Sequence, residues 1–458
     1  MDDTHGGEHY KNVAGVRNAE GQAHDTALMI RDVAIHNVHY HGPVNIGHAE
    51  NTNFGTNSGT ISQGTASPPA AGNWQFVSNK ELNQLLDPIP DASYTRNRKT
   101  SPPDSDCFPG TREEVIQDIT DWADRPTLFS SDTPHVYWTH GYVSCGKSAI
   151  SQTLSRKYAE KGRLPASFFF CRNSGDRSRM TKFAVTLASQ MVAAIPSTRL
   201  FVKAAVKAEP ALVTRGVSLA TQLERLVYKP FQAVLKRGLI LKTLLKGPFL
   251  IVIDGLDECE DKEEVKEFIN HLLDFFKRHP SIPLRFFITS RVELHIQECL
   301  NTDGVLLDDL VTRGSEGDIL TFLGTSFLVQ AKKDLVIAAY IRGHGQWPTR
   351  EDMKRLVHHI GGSFIFASIV FKYIIGPLDD SLTPMTRLPL AFNINPGLDG
   401  LYAHTLTRSQ HLLHFTAVIT AIALLFEALP IAGIAELLGI EMFEVLHVLA
   451  IRDRGYLV

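Results

Sequence analysis

An α/β fold, with a parallel sheet covered by helices on both faces, is what the middle of this 458-residue sequence predicts. Three observations predict it. Four short apolar runs, HVYWT (135–139), SFFFC (167–171), FLIVI (249–253) and LRFFIT (284–289), alternate with helical patterns. Runs that are apolar throughout, without alternation, belong to strands buried on both faces, which is the habit of parallel sheets. A glycine-rich loop joins the first run to a helix, and beyond residue 300 the strand signal fades into helices.

The first run leads into Gly141-Tyr-Val-Ser-Cys-Gly146-Lys147-Ser148, which satisfies G-x-x-x-x-G-K-[ST] between a strand and a helix. That chemistry needs those residue types in that order. Glycines let backbone N–H groups face phosphates, and the helix N-terminus adds partial positive charge. Gly141, Ser144, Cys145, Gly146, Lys147, Ser148 and Ala149 are therefore the candidate nucleotide-binding residues, with Lys147 for the β/γ-phosphates and Ser148 as a Mg²⁺ ligand. The helix that follows carries Ile150, Leu154 and Tyr158 at four-residue spacing. A tight structural turn is the plain alternative.

FLIVIDGLDE (249–258) is the second element. A buried strand ending in Asp254 can place a carboxylate beside the Mg²⁺ that Ser148 holds. Glu258, with Asp257 as second choice, can orient or deprotonate an attacking water. Acidic residues at strand ends also serve as helix caps, so the plain reading stands beside the chemical one. At the end of LRFFIT, Arg291 is either a sensor of the γ-phosphate or a partner for a surface carboxylate.

Around this core, SFFFC is followed by an amphipathic helix over Met180–Ile195, and FLIVI by a helix over Glu263–Arg278. Upstream, a short helix covers Asn79–Leu86, and RNRKTSPPDSDCFPGT links it to a helix starting near Thr111. Thr111 is its candidate N-cap, Glu113 and Glu114 suit its first turn, and Val115, Ile119 and Trp122 share one face. Downstream, residues 316–330, 350–373 and 400–458 are predicted helical, with breaks at Gly361–Gly362 and Pro377. The last stretch, from Leu429, has the rhythm of a helix-turn-helix followed by a strand. Its second helix offers Glu441 and Glu444 where DNA would need Lys or Arg, so a packing module is expected and no nucleic acid partner.

Residues 1–78 are rich in Gly, Asn, His, Thr and Ser and are expected to be a disordered tail. Seven of the 19 histidines lie in the first 48 residues, among them His36, His39 and His41. Without a carboxylate or thiolate beside them, a solvated tail is favoured over a metal site. The remaining divisions are a lead-in over 79–133, a nucleotide-binding core over 134–310, a helical domain over 311–398 and a winged-helix-like domain over 399–458.

Composition narrows the function classes. With 44% hydrophobic and 21% charged residues and a net charge of −3, the chain is that of a globular protein with no global pull toward nucleic acid or anionic membranes. Five scattered cysteines argue for a reducing compartment and against a disulfide framework. No signal peptide opens the chain. The most apolar stretch, Thr416–Phe426, stops at Glu427 and Pro430, too short to span a bilayer. A cytoplasmic location follows. No repeat of solenoid or propeller period is visible.

Taken together, D-A-S-Y-T-R (91–96), C-F-P-G-T-R (107–112), Trp122, the P-loop, S-F-F-F (167–170), I-V-I-D-G-L-D-E (251–258), F-I-T-S-R (287–291), W-P (347–348) and G-G-S-F-I-F-A (361–367) resemble a known family. It is that of the NACHT-type STAND ATPases of fungal NOD-like receptors, close to the nephrocystin-like subgroup. The resemblance covers about 80–458 and implies a signalling switch. In such a switch ADP holds a closed monomer, ATP exchange opens it, and the open form oligomerises. It also implies a helical bundle and a winged helix after the core. Lys147 and Ser148 would take the Walker A roles, Asp254 the Mg²⁺ role, Glu258 that of the catalytic carboxylate and Arg291 that of the sensor. One departure is clear: the usual P-A-G within the loop is Tyr142-Val143-Ser144, which removes a glycine. Relatives continue into repeats, so a short receptor or a truncated gene model is expected. A scaffold that binds nucleotide with little turnover is the main alternative, and a small-molecule kinase a distant third. In the tail, Val44-Asn45-Ile46-Gly47 with Asn51, Asn53 and Phe54 weakly resembles RIP homotypic interaction motifs. Such a segment could recruit a protein partner by cross-β stacking, although Gly and Pro43 favour a linker.

Overall fold

The computed structural model describes residues 81–95, 106–126, 133–214, 216–376, 382–394, 412–425 and 429–450. Its centre is a five-stranded sheet in the order β2-β3-β4-β1-β5. The strands are β1 (Val136–His140), β2 (Ser167–Phe169), β3 (Phe249–Asp254), β4 (Leu284–Ser290) and β5 (Val305–Asp309). All pairings are parallel. In register, Trp138 lies opposite Ile288 and Leu307, while Ile253 lies opposite Ile288 and Phe168.

Every residue of β3 and β4 is buried, because helices close both faces. Side chains alternate between two cores, as strand geometry requires. One core takes Val136, Trp138, Ile251, Ile253, Phe286 and Ile288. The other takes Tyr137, Leu250, Val252 and Phe287, and meets α1 (Glu113–Asp124) and α2 (Lys147–Glu160) through Ile119, Trp122, Ile150, Leu154 and Tyr158. Burying side chains of this size contributes about 1.5–3 kcal/mol each, so the two apolar layers fix which way each strand faces.

Between β2 and β3 the chain forms a helical insertion. It comprises α3 (Phe183–Ala194), α4 (Arg199–Ala208), α5 (Leu219–Leu223), α6 (Lys229–Lys236) and α7 (Leu241–Leu244). Next in the core come α8 (Lys262–Arg278) and α9 (Leu294–Leu300). After β5 follow α10 (Glu316–Lys333), α11 (Leu335–His344), α12 (Arg350–Ile360), α13 (Phe364–Ile375) and α14 (Pro384–Ala391), which share a separate apolar core. Three short helices, α15 (Phe415–Leu424), α16 (Ile431–Leu438) and α17 (Met442–Ala450), pack around Val418, Ile434 and Val445.

Several expectations are corrected. β5 was not anticipated: Val305-Leu-Leu-Asp-Asp is an edge strand pairing only with β1, so it needs no apolar run. The helix after β2 begins at Phe183 and is not amphipathic; Phe183 to Ala188 are all buried, because the insertion covers the face that would otherwise meet water. Thr111 does not cap α1. Its hydroxyl donates to the Phe108 carbonyl, and Arg112, at φ 56, occupies the cap position with no side-chain cap bond. The predicted helix over 350–373 is two helices, broken at Gly361–Gly362 as expected. The tail, with its histidines and the Val44–Gly47 segment, lies outside the described residues, as do Pro377 and the strand expected after α17.

The Phe169 amide donates to the Ala92 carbonyl (2.8 Å), and the Tyr94 amide donates to Ser167 Oγ (2.9 Å), so the lead-in chain lies along the outer side of β2. At the opposite end of the strands, Arg163 donates to Pro248 O, Lys246 O, Ala123 O and Asp124 Oδ1. Arg285 donates to the carbonyls of Trp122 and Arg125. The two arginines thereby satisfy the last carbonyls of α1, which an ordinary C-cap would otherwise serve.

Candidate functional site

β1 lies between β4 and β5, and the connections leaving the adjacent strands β1 and β4 run in opposite directions, β1 to β2 at one edge and β4 to β5 at the other. Ligands of open parallel sheets bind outside the carboxyl ends of strands at such a point. The loop 141–146 emerges there and runs directly into the 14-residue helix α2.

The loop's conformation follows from its residues. A Cβ on Gly141 would lie 2.9 Å from Cys145 Sγ, so any other residue would have to displace that buried thiol. Gly146 has φ 95 and caps α2 without a side chain, which leaves the first N–H groups of the helix free. Ser144 has φ 73, left-handed backbone that glycine adopts freely and that costs an L-residue roughly 1–2 kcal/mol. The glycine missing from the motif is thus missing where the backbone calls for it. Ser144 Oγ is buried without a hydrogen bond.

Lys147 Nζ donates to the carbonyls of Gly141 and Tyr142, both at 2.8 Å, so its ammonium lies over the loop. Ser148 is exposed in the first turn of α2, and Ala149 lies beside it. Cys145 is buried under the loop.

The second group stands at the ends of β3 and β4. Asp254, 4% exposed, accepts through Oδ1 from Ser151 (2.8 Å) and Thr289 (2.6 Å). Ser151 lies one turn beyond Ser148 on α2, so the carboxylate is tied to the helix of the P-loop. Among the described residues Ser148 and Asp254 share no hydrogen bond. Asp257 is buried and takes both the backbone N–H (2.8 Å) and the Nε (3.2 Å) of Arg291. Arg291 therefore holds a buried carboxylate, neither free at the strand end nor paired at the surface.

Glu258 packs against these groups without joining that pair. Its Oε2 accepts from the Arg172 amide (3.2 Å), and Arg172 Nη2 reaches the Asp257 carbonyl (3.3 Å). Burial, then the neighbouring charges of Asp257 and Asp254, push the Glu258 carboxyl up to about 7. A carboxyl that titrates there can exchange a proton near neutral pH.

Two residues that sequence reasoning did not single out join the site. Arg172 follows β2 and fixes Glu258. Arg112 donates from Nη2 to the Cys145 carbonyl and from Nη1 to the Arg313 carbonyl, both at 3.0 Å. Its Nε lies 3.7 Å from Asp318 of α10, and its guanidinium covers the Phe364 ring at 5.2 Å. The Phe364 amide donates to the Ser144 carbonyl (3.3 Å). A Cβ on Gly362 would come within 2.7 Å of the Tyr142 hydroxyl. The P-loop is thus fastened to the turn between α12 and α13. The presence of Arg112 in C-F-P-G-T-R was the available signal; its partners 33 and 201 residues away were not readable.

These features define a P-loop NTPase-like fold, and the family comparison agrees with it. A family model described as Nephrocystin 3, N-terminal, matches residues 110–291. Over those residues the chain is similar to that domain. The match runs from the turn before α1 to Arg291 and so includes the P-loop, Asp254, Asp257 and Glu258. Among solved structures, that of C. elegans PCH-2 aligns with a TM-score of 0.33 at 13% identity, covering 63% of this chain and 70% of that one. A likeness that loose carries no functional argument. No curated protein matches the sequence. Among the described residues no single helix is long and apolar enough to cross a membrane.

Proposed function

We propose that this chain is a regulatory, Mg²⁺-dependent ATP-binding switch of the NOD-like receptor type. Its ATP or ADP state would set the position of the helices that follow the sheet, and thereby homo-oligomerisation in the cytoplasm. The observation that carries the reading is the physical link between the P-loop and those helices. Ser144 O, Tyr142 and the Cys145 carbonyl each bear on α10 or the α12–α13 turn, directly or through Arg112. A loop that must adjust around phosphates cannot do so without disturbing its contacts with the α12–α13 turn.

The residues suit a nucleotide. The uncapped N–H groups of α2 and the Lys147 ammonium offer donors to phosphate oxygens. Ser148 and Asp254 supply the hydroxyl and carboxylate with which a hard cation completes a shell of phosphate and water. Bound Mg²⁺ would neutralise the charge that develops on the transferred phosphoryl group. Lys147 would leave the loop carbonyls for the β/γ-phosphates, and Glu258, once ionised, would accept a proton from water.

A second reading, a nucleotide-binding scaffold with little turnover, is favoured by two observations: the φ of 73 at Ser144 and the retention of Glu258 by the Arg172 amide. Sedimentation of the full chain with MgADP and with a non-hydrolysable MgATP analogue, beside a turnover assay, separates the readings. The switch requires a larger species with the triphosphate only. A monomer in both states removes the switch, binding without turnover favours the scaffold, and no binding removes both.

A further inference from the structure

The helical insertion between β2 and β3 differs sharply in charge from the rest of the chain. Residues 196–248 hold ten Lys or Arg against two Asp or Glu, a net +8 in a protein whose total is −3. Both acids are already paired, Glu209 with Arg225 (3.6 Å) and Glu224 with Lys229 (3.4 Å). Part of the surplus forms a stripe. Arg199, Lys203 and Lys207 recur at four-residue spacing on α4, Lys203 and Lys207 exposed beside the buried Val202 and Val206. Like charges at that spacing repel, so the stripe costs stability unless something anionic meets it.

Beside the stripe the surface is apolar. Arg237, just after α6, lays its guanidinium on Phe201 of α4 at 4.7 Å, which brings the α6–α7 turn against the start of α4. Leu200 on α4 is 72% exposed and Leu245, just after α7, 89%, with Leu239 and Leu241 also more than half exposed. Lys236, Lys242 and Lys246 are exposed among them. Exposed leucines interleaved in sequence with exposed lysines are what an anionic bilayer rewards: the apolar side chains enter the headgroup boundary while the ammonium groups meet lipid phosphates and carboxylates. A nucleic acid would use the charge but not the leucines, and Phe201, the aromatic ring of this face, lies under Arg237.

We infer that the α4–α7 face is a docking surface for an anionic membrane, with the leucines of the α6–α7 turn and α7 inserted and the α4 stripe lying along the headgroups. The position suits it. α7 ends a short turn before the first residue of β3, whereas the P-loop and Asp254 stand at the other end of the strands, about 20 Å away for a six-residue strand. A docked molecule keeps its nucleotide site toward water.

Flotation of the full chain with vesicles of phosphatidylcholine alone, or mixed with phosphatidylserine, tests this. Binding is expected to the mixed vesicles only and to weaken with salt. Reversing three charges (Lys203→Glu, Lys242→Glu, Lys246→Glu) lowers the partition coefficient by roughly a hundredfold. Leu241→Ser with Leu245→Ser lowers it by roughly tenfold or more. Leu245→Ser alone, at so exposed a position, is the control for folding by circular dichroism and lowers it measurably. Failure to bind mixed vesicles at low salt would overturn the inference, as would equal binding to neutral vesicles. Tighter binding to a duplex oligonucleotide with the leucine variants unaffected would assign the face to nucleic acid instead.

Discussion

The two ends of the sheet each contain a buried Arg–Asp contact, and the two are built to different standards. At the N-terminal end Arg163 is fully buried, yet all three of its nitrogens find an acceptor, and its charge meets Asp124 at 2.7 Å. Burial works against ionisation of Asp124, but hydrogen bonds from Tyr158 and Lys161 and the charge of Arg163 hold its carboxyl below the usual range. At the C-terminal end Asp257 meets Arg291, while its Oδ2 and the Ser144 hydroxyl have no hydrogen bond of ordinary geometry. Glu258 is pushed up, and Ser144 holds a backbone conformation that disfavours it. At the first end the Arg163–Asp124 pair is fully bonded, although Arg285 Nε beside it has no hydrogen-bond partner among the described residues. The other retains unspent bonding capacity, as a site that must accept a ligand does.

The comparison breaks most directly at Arg163. Arg163→Met leaves three carbonyls without their donor and takes one of three hydrogen-bond partners from Asp124, and breaking a buried pair costs about 3–5 kcal/mol. Urea denaturation should show that loss, and a change below about 1 kcal/mol would mean the N-terminal end is not the stabilising one. Lys147→Ala should do the reverse. Folding stability stays near wild type, while affinity for a fluorescent ATP analogue falls about a thousandfold through lost charge-assisted bonds to phosphate. Equal affinities would remove the site assignment.

Glu258→Gln sharpens the contrast. Binding persists, and hydrolysis slows by about a hundredfold as the general base is lost. Wild-type turnover should rise with pH through about 7 as Glu258 ionises. The sign for stability follows from the raised value: a carboxyl harder to ionise when folded destabilises the fold progressively from its ordinary range up to about 7. The Gln variant should therefore gain on wild type at pH 8 but not at pH 4, read from thermal unfolding. The smallest effect is that of Ser144→Gly, which relieves up to about 1 kcal/mol of backbone strain and tightens nucleotide affinity by less than about tenfold. A loss of stability would show that the left-handed turn does not strain Ser144.

What was legible in the sequence was local. The apolar runs of β1 to β4 are buried on both faces, and a strand with that requirement announces itself. The P-loop pattern and the acidic end of β3 were legible for the same reason, since each is set by a few adjacent residues. β5 was not, because an edge strand satisfies its environment with Leu307 half exposed and aspartates at its end. Nor were the placements of Arg112, Arg172 and Arg291. Whether an arginine senses phosphate, spans two elements or neutralises a carboxylate depends on partners brought together by the strand order, and spacing along the chain does not encode that order.

The lead-in chain along β2 also bears on how copies of this protein can meet. The narrowest strand of the sheet, three residues long, has its outer amide and hydroxyl taken by Ala92 and Tyr94. The opposite border, β5, ends in two aspartates. The β2 border is covered, and the charge at the end of β5 disfavours pairing along the other border. Assembly through continuous β-pairing of the cores is thereby discouraged. A chain beginning after residue 95 would lose that cover on β2, and its expected failing is colloidal: slow, strand-to-strand aggregation of molecules that are still folded.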